Sequence, residues 1–348
     1  GAVTTTRITH ATPAATYAHA AGRDWESDAD MKADDIAGGC IDIARQLVEM
    51  KAGDGLDVAM GGGRERFLPD TVADPEYPAK KGMRKDGRNL IEAWLTRYAG
   101  RATYASNKET FDAIKPATAG HTLALFEPSH MQFELDRAKD AGGEPSLADM
   151  TAKAIAILKR NPKGFFLMVE GGRIDHAHHA GNAARALEDT VAFDEAVKTA
   201  LSLTNPRDTL IVVTADHSHV LTMAGYPSRT TPILGLADDG TGKPALAADG
   251  KPYTTLGYAN GPGAEPESKP RENLSNVDTT APDFKQQSLV PMKAETHGGE
   301  DVPIYASGPW AHLFQGVVDQ QYIFHVMNYA GKISDRAAAA ERPRKRRR

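Results

Sequence analysis

The fold is indicated by one stretch, Phe165-Phe166-Leu167-Met168-Val169-Glu170-Gly171-Gly172-Arg173-Ile174-Asp175-His176-Ala177-His178-His179. Its apolar first part predicts a buried strand that ends at Glu170, two glycines permit a sharp turn, and a helix is predicted to begin near Asp175. In open α/β sheets, ligands bind beyond the carboxyl ends of the strands. The stretch therefore predicts a ligand site at that edge of a sheet.

Similar alternation of strand-like and helix-period segments extends outward on both sides of this stretch. We predict strands near 2–8, 56–60, 165–169, 209–213, 232–236 and 304–306. We predict helices near 14–20, 34–51, 89–98, 147–160, 183–203 and 311–329. This alternation is typical of an α/β protein in which a three-layer, largely parallel sheet carries helices on both faces.

Composition divides the chain further. Residues 1–237 and 294–332 are predicted to form one α/β core. The region 238–293 is rich in Gly, Pro, Asp, Ser and Asn, which predicts a loop-rich insertion. Residues 333–348 form a basic tail, which is expected to be disordered because it ends in a block of positive charges.

Charge and hydropathy exclude several classes of protein. The net charge of -5 and the pI near 6.2 are not those of a nucleic-acid-binding protein. The sequence has no apolar run of about 18 residues and no basic N-terminal region followed by an apolar run, so it predicts neither a membrane-spanning helix nor an uncleaved signal peptide. The chain opens with Gly1 rather than Met. We therefore expect that residues, an export signal among them, were removed or not included.

The one cysteine, Cys40, leaves two interpretations open. It is either a small, partly buried apolar side chain, or a cysteine separated by truncation from its disulfide partner.

The spacing of Asp175 and His179 predicts a metal site. An i, i+4 pair lies on one face of a helix, where a carboxylate and an imidazole can bind one cation. The alternative is that Asp175 is only the N-cap of its helix.

A second strand candidate, 209–213, leads directly into Asp216, His217 and His219. An Asp-His pair at a strand end suits a second divalent metal, although a structural histidine beside a turn-forming Asp explains the same residues. His297 follows in a Gly-containing loop and is a weak signal by itself.

Near the N-terminus, His10 and Thr12 follow the first predicted strand. A threonine hydroxyl there can serve a hard cation, or Thr12 can be the N-cap before Pro13. The segments together offer carboxylate and imidazole ligands for two zinc-like ions, while Glu170 and Thr12 offer oxygens that suit magnesium. Paired metals are the usual clamp for displacement at phosphorus, so the sequence indicates phosphoryl transfer.

Five ordered motifs resemble those of the alkaline phosphatases. They are Thr-His-Ala-Thr-Pro at 9–13, Met-Gly-Gly-Gly-Arg at 60–64, Val-Glu-Gly-Gly-Arg-Ile-Asp-His at 169–176, Thr-Ala-Asp-His at 214–217 and Glu-Thr-His-Gly-Gly-Glu-Asp at 295–301. The resemblance implies hydrolysis of small phosphate monoesters through a phosphoserine, with two zinc ions and one magnesium ion.

The same resemblance assigns roles to individual residues. It implies that Asp175, His179 and His297 bind the first zinc and that Asp216 and His217 bind the second. It implies that Glu170 and Thr12 bind magnesium, with His10 and His176 as neighbours of the metals. It also implies that Arg23 is the arginine that binds phosphate. A guanidinium suits that last role because it donates two parallel hydrogen bonds to phosphate oxygens.

With histidine at positions 10 and 176, the sequence resembles the animal and marine-bacterial type of the family. In that type the region 238–293 corresponds to a crown-like subdomain that takes part in dimer contacts, which implies a homodimer for the full-length protein. The family habit also implies a periplasmic or extracellular location. Some members bind calcium, and Phe126, Glu127 and Glu144 resemble part of that site. The Glu expected just before Trp94 is Ala93 here, so the calcium site is incomplete.

The family nucleophile lies in an Asp-Ser-Ala motif, which this sequence does not contain. We expect that serine, a metal-bridging Asp and the disulfide partner of Cys40 to lie upstream of Gly1, and the fragment alone to be inactive. Two other interpretations remain: a phosphodiesterase or sulfatase built on the same metal scaffold, and a non-catalytic secreted metal-binding protein.

Overall fold

The computed structural model of the protein describes residues 1–266 and 268–341. Its strands are β1 (Ala2–Arg7), β2 (Val58–Gly62), β3 (Ala102–Ala105), β4 (His121–Leu125), β5 (Met168–Glu170), β6 (Ile211–Val213), β7 (Ser218–His219), β8 (Leu221–Met223), β9 (Leu256–Gly261), β10 (Ser288–Pro291), β11 (His297–Gly298) and β12 (Tyr305–Ser307). Its α-helices are α1 (Ala11–Ala14), α2 (Ala33–Ala37), α3 (Ile43–Glu49), α4 (Leu90–Arg97), α5 (Lys108–Asp112), α6 (Glu134–Arg137), α7 (Leu147–Leu158), α8 (Arg173–His179), α9 (Ala183–Leu203), α10 (Tyr322–Gly331) and α11 (Ile333–Glu341). Short 3₁₀ helices cover Asp28–Asp30, Arg64–Arg66, Leu274–Asn276 and Ala311–Leu313.

The chain divides into two compact units. The larger contains Gly1–Ala200 and Val220–Thr296, and the smaller contains Leu201–His219 and the described residues from His297 onward. The region 238–293, predicted as an insertion, belongs to the larger unit, where β9 lies between β8 and β10 in a three-stranded sheet.

A five-stranded sheet in the order β3-β4-β2-β1-β5 forms the centre of the larger unit, and every neighbouring pair is parallel. Alternate side chains of β2 pack into two different hydrophobic clusters. Ala59 packs in one apolar cluster with Leu47 of α3 and Trp94 of α4, whereas Val58 and Met60 pack in the other. This period of two places helices against both faces of the sheet. The predicted fold class is confirmed.

The smaller unit contains two antiparallel strand pairs. Strand β12 pairs with β6, and β11 pairs with β7 so that His297 lies opposite His219. The second pair brings a histidine of the 295–301 motif beside one that follows the 214–217 motif.

Several element boundaries differ from the sequence predictions. The helix predicted over 34–51 is two helices, α2 and α3, because Gly39 adopts a positive φ of 90° after α2. Cys40 follows in this break and is exposed, so the interpretation of a buried apolar cysteine is wrong. No strand covers 232–236, and β3 and β4 were not predicted.

The predicted disordered tail is helical in its first part. Residues 333–341 form α11, in which four consecutive alanines at 337–340 supply the residue of highest helix propensity. The basic residues 342–348 lie outside the described residues.

Arg64, from the Met-Gly-Gly-Gly-Arg motif, is fully buried after β2. Its Nε and Nη2 donate to both carboxylate oxygens of Asp74 at 2.7 and 2.8 Å, and its Nη1 donates to the carbonyl of Leu125 at 2.8 Å. A third acceptor is Glu76, at 3.0 Å. One guanidinium thus joins the ends of β2 and β4 to the loop at 74–76.

We expect Arg64→Met to lower the free energy of unfolding by about 3–5 kcal/mol, because it leaves the buried carboxylate of Asp74 without its cation. Arg207→Met is the matched control, since Arg207 is exposed, and is expected to change stability by less than about 0.5 kcal/mol. Urea denaturation of both variants measures the difference. Equal midpoints for the two variants would contradict this role of Arg64.

Candidate active site

Strand β5 brings Glu170 beside β1. Thr4 is the register partner of Glu170, and the Glu170 carboxylate accepts hydrogen bonds from the hydroxyl of Thr4 and, at 3.2 Å, from that of Thr6. These groups form an all-oxygen set, which is the chemistry that magnesium prefers. Thr12 is exposed on α1. Its pairing with Glu170 at magnesium stays a prediction.

The turn after β5 requires a residue without a side chain at Gly172. A Cβ there would overlap with the methyl group of Thr6 and would lie 2.9 Å from the carboxyl carbon of Glu170. Gly172 is also the N-cap of α8. The second glycine of the motif therefore lets α8 start directly against the Glu170 carboxylate.

The Asp175–His179 pair lies on α8 as the spacing predicted. His179 Nε2 is 3.3 Å from Asp175 Oδ1, and His179 Nδ1 is 2.6 Å from the backbone carbonyl of Glu295. An Nδ1–H donated to a carbonyl fixes the ring so that Nε2 is the nitrogen available to a metal, an arrangement typical of metal-binding histidines. The geometry of this pair fits a zinc-type ion.

The two N-cap alternatives are wrong. Helix α8 begins at Arg173 after Gly172, so Asp175 is in the first turn and is not the cap. Helix α1 begins at Ala11 after His10, so Thr12 is not a cap either.

A third imidazole, that of His130, joins His10 and His176. Ring centroids are 5.2 Å apart for His10 and His130, 5.5 Å for His10 and His176, and 4.3 Å for His130 and His176. His130 was not predicted as a site residue because β4, the strand that precedes it, begins with two polar residues and has only three apolar ones. Recognition of β4 would have placed His130 at the same edge of the sheet.

Burial and neighbouring arginines keep these rings neutral. Burial lowers the pKa of His176 to about 3, helped by Arg173, whose Nη1 is 3.0 Å from His176 Nδ1. Burial also lowers the pKa of His10 and His130. For both histidines, the positive charge of Arg7 is the next largest contribution to the lowered pKa. Arg7 Nη1 lies 2.7 Å from His130 Nε2.

Arg7 is itself held by a carboxylate. Its Nε and Nη2 donate to the two oxygens of Glu26 at 2.7 and 2.6 Å, and Thr9 donates to the same carboxylate at 2.6 Å. Because Glu26 is only 5% exposed, this pair fixes the end of β1 from which His10 follows.

Arg23 is exposed and lines a cleft with alanines of α1 and the segment that follows it. No hydrogen bond or ion pair engages its guanidinium within the described part of the chain. Its charge is near enough to His10 to contribute to the lowered pKa of that residue. The side chain is therefore available to an anion.

In the smaller unit, the imidazoles of His217, His219 and His297 converge. The rings of His217 and His297 stack with centroids 3.5 Å apart, and His219 meets them edge-on at 5.2 and 5.3 Å. Asp216 Oδ2 is 3.4 Å from His217 Nε2. Three imidazoles and a carboxylate are a zinc-type donor set. His219, which follows the 214–217 motif and was assigned no role from the sequence, belongs to this cluster.

The predicted zinc ligands fall in both units. Asp175 and His179 belong to the larger unit, and Asp216, His217 and His297 belong to the smaller. Their assignment to two zinc ions stays a prediction.

The residues of the predicted calcium site lie among other acids. Glu127 accepts hydrogen bonds from Gln132 at 2.8 Å and Tyr77 at 3.1 Å, and a carboxylate oxygen of Glu127 lies within 4.8 Å of those of Glu76 and Asp140. Burial raises the pKa of Glu127 to about 7 and that of Glu144 to about 9.

Ala93, at the position of the missing acid, packs against the apolar cluster of α3 and α4. Phe126 is fully buried. Calcium binding through Phe126, Glu127 and Glu144 stays a prediction.

The alkaline phosphatase family model matches residues 1–333. The chain belongs to the alkaline phosphatase family. It is 48% identical to the tissue-nonspecific alkaline phosphatase of Gallus gallus over 99% of this chain and 66% of that protein. It is 47% identical to the tissue-nonspecific isozyme of Homo sapiens over 96% of this chain and 63% of that protein. The chain thus spans about two thirds of the length of these alkaline phosphatases.

A solved variant of the alkaline phosphatase from the Antarctic bacterium TAB5, with Mg bound in its M3 site, is similar in fold. It has a TM-score of 0.60 and 24% identity, and the likeness covers 95% of this chain and 71% of that chain. The likeness confirms the predicted alkaline-phosphatase-like fold. Within the described residues, no helix is both long enough and apolar enough to cross a membrane.

We expect Gly172→Ala to lower the free energy of unfolding by about 1–3 kcal/mol, because the added methyl group meets Thr6 and the Glu170 carboxyl group. Combining it with Thr6→Ser, which removes the opposing methyl and keeps the hydroxyl, should restore part of the loss. Thermal unfolding measures both.

The control for this pair is Gly299→Ala, since a Cβ at Gly299 meets no atom within 4 Å. A double variant as unstable as Gly172→Ala alone would contradict the steric account.

Proposed function

We propose that this chain supplies the metal-binding and phosphate-binding residues of a phosphomonoester hydrolase. The observation that carries the proposal is the combination, within family motifs, of the Asp175–His179 pair and the cluster of three imidazoles in the smaller unit. A phosphodiesterase or sulfatase, and a non-catalytic metal-binding protein, are the competing functions.

The donor groups fit the metals that the family implies. The first zinc is assigned to Asp175, His179 and His297, the second to Asp216 and His217, and magnesium to Glu170 and Thr12. When bound, such metals polarise the phosphate and stabilise the charge that develops during displacement at phosphorus.

The chain's own residues prepare the site for an anion. The carbonyl of Glu295 orients His179, and the Thr4 and Thr6 hydroxyls orient the Glu170 carboxylate. Arg23, exposed in its cleft, can donate two parallel hydrogen bonds to a phosphate. Because His10 and His176 are held neutral, each retains a ring nitrogen that can accept a hydrogen bond.

In the proposed reaction, a serine oxygen bonds to phosphorus while the ester P–O bond breaks and the alcohol leaves with a proton. Water then displaces the serine oxygen from phosphorus, which releases inorganic phosphate and restores the serine. We place that serine in an Asp-Ser-Ala motif, which these 348 residues do not contain. We further propose a homodimeric full-length protein and a periplasmic or extracellular location, both by family resemblance.

The chain loaded with zinc and magnesium is expected to hydrolyse p-nitrophenyl phosphate no faster than the same metals in buffer at alkaline pH, because no nucleophilic serine of the family motif is present. Metal analysis by mass spectrometry on the same sample shows whether the ligand segments are folded. Turnover at about 1 s⁻¹ or more would contradict the proposed absence of the nucleophile.

Phosphate binding tests the function without turnover. We expect Arg23→Ala to weaken the binding of inorganic phosphate to the zinc-loaded chain at least about tenfold, since charge-assisted hydrogen bonds contribute roughly 1.5–3 kcal/mol. Arg23→Lys should recover part of the affinity, and Arg207→Ala should bind as the parent does. Calorimetric titration gives each Kd.

The same titration separates the competing functions. Sulfate bound as tightly as phosphate would favour a sulfatase. An unchanged phosphate Kd in Arg23→Ala would contradict the assigned role of Arg23.

A further inference from the structure

The amino-terminal edge of the larger unit's sheet carries a second kind of polar cluster. Asp57 directly precedes β2, and His121 is the first residue of β4, the parallel neighbour of β2. Asp54 precedes them in the loop that leads to β2. One ligand atom from each of these three side chains lies within 4.8 Å of the others. The motif residues His10 and Asp175 follow the carboxyl ends of β1 and β5, at the opposite edge of the same sheet.

His121 is oriented like a metal-binding histidine. It is 1% exposed, and its Nδ1 lies 2.8 Å from the carbonyl of Leu56, to which the ring donates its proton. Tyr98 stacks on the ring with centroids 3.7 Å apart, and Trp94 meets it edge-on. The remaining nitrogen, Nε2, is therefore a fixed acceptor on the side of Asp54.

The distance between the Asp54 and His121 ligand atoms matches that of two ligands on one zinc ion. His121 Nε2 is 3.6 Å from Asp54 Oδ2, which is too far for a hydrogen bond. Two ligands of one tetrahedral zinc, each about 2.0–2.1 Å from the metal, are about 3.4 Å apart. The pair thus has the spacing of two ligands around a common ion.

Tyr98 provides an independent observation. The residue is 4% exposed, and its hydroxyl has no hydrogen-bond partner among the described residues. A Cβ at Gly55 would overlap with that hydroxyl oxygen, so the phenol points into the loop between Asp54 and Asp57. A buried hydroxyl without a partner is costly, and a ligand or its water in this loop would satisfy it.

We propose that Asp54, Asp57 and His121 bind one divalent ion of the zinc class, with the Tyr98 hydroxyl as a hydrogen-bonding neighbour. One imidazole and two carboxylates form a mixed nitrogen and oxygen set, which selects zinc-like ions over magnesium and calcium. The two carboxylates balance the charge of the ion. Arg101, 3.8 Å from Asp54 and 63% exposed, is free to move away when an ion binds.

The test counts zinc in the complete 348-residue chain. Chain stripped with a chelator is reloaded with Zn²⁺, freed of excess metal by gel filtration, and assayed for zinc per chain. Asp54→Asn is expected to bind one zinc fewer than the parent, and Asp57→Asn likewise. Asp54 has a side chain that is 66% exposed, so its variant is expected to fold, which circular dichroism checks.

Two controls make the count specific. Asp70→Asn changes an exposed acid elsewhere and should retain the parent's zinc. Asp216→Asn should lose zinc additively with Asp54→Asn, because the sites are independent. Equal zinc in Asp54→Asn and Asp70→Asn overturns the proposal. Displacement of this zinc by millimolar Mg²⁺ or Ca²⁺ overturns the assigned metal class.

Discussion

The parallel pairing of β1 with β5 determines where the chemistry of the larger unit lies. Because Thr4 is opposite Glu170, the turn at Gly172 and the start of α8 come next to the end of β1. A slip of one residue would turn Glu170 to the other face of the sheet and separate it from the Thr4 and Thr6 hydroxyls. The ion pair between Arg7 and the buried Glu26 holds the same strand end in place.

Buried charge gives this region its electrostatic character. Arg7 and Arg173 lie against the rings of His130 and His176, and burial with these cations lowers the pKa values of both histidines. Positive charge is therefore held by arginines, which do not titrate in the physiological range. Such a region favours an anionic substrate, in agreement with the proposed phosphate binding by Arg23.

Strong local sequence patterns were sufficient to predict part of the fold. The period of the 183–203 helix gave the bounds of α9, and the run that ends at Glu170 gave the strand, turn and helix around Asp175. The parallel sheet followed from the alternation of elements. These features depend on periodicity and turn residues, which a single sequence contains.

The features that were not predicted from the sequence depend on contacts between residues that are far apart along the chain. His130 joins His10 only because β4 is two strands away from β1 in the sheet, and β4 begins with two polar residues that interrupt its apolar pattern. The clusters of His219 with His297 and of Asp54 with His121 likewise result from strand order. Tertiary pairing, rather than local propensity, places these residues together.

Zinc counting on a double variant tests the proposed function most directly, through the proposal that His179 and His297 bind one and the same zinc ion. The account predicts that His179→Ala and His297→Ala each bind one zinc fewer than the parent chain, and that the double variant also binds only one fewer. A double variant that has lost two zinc ions would contradict it, because the two histidines would then serve separate ions.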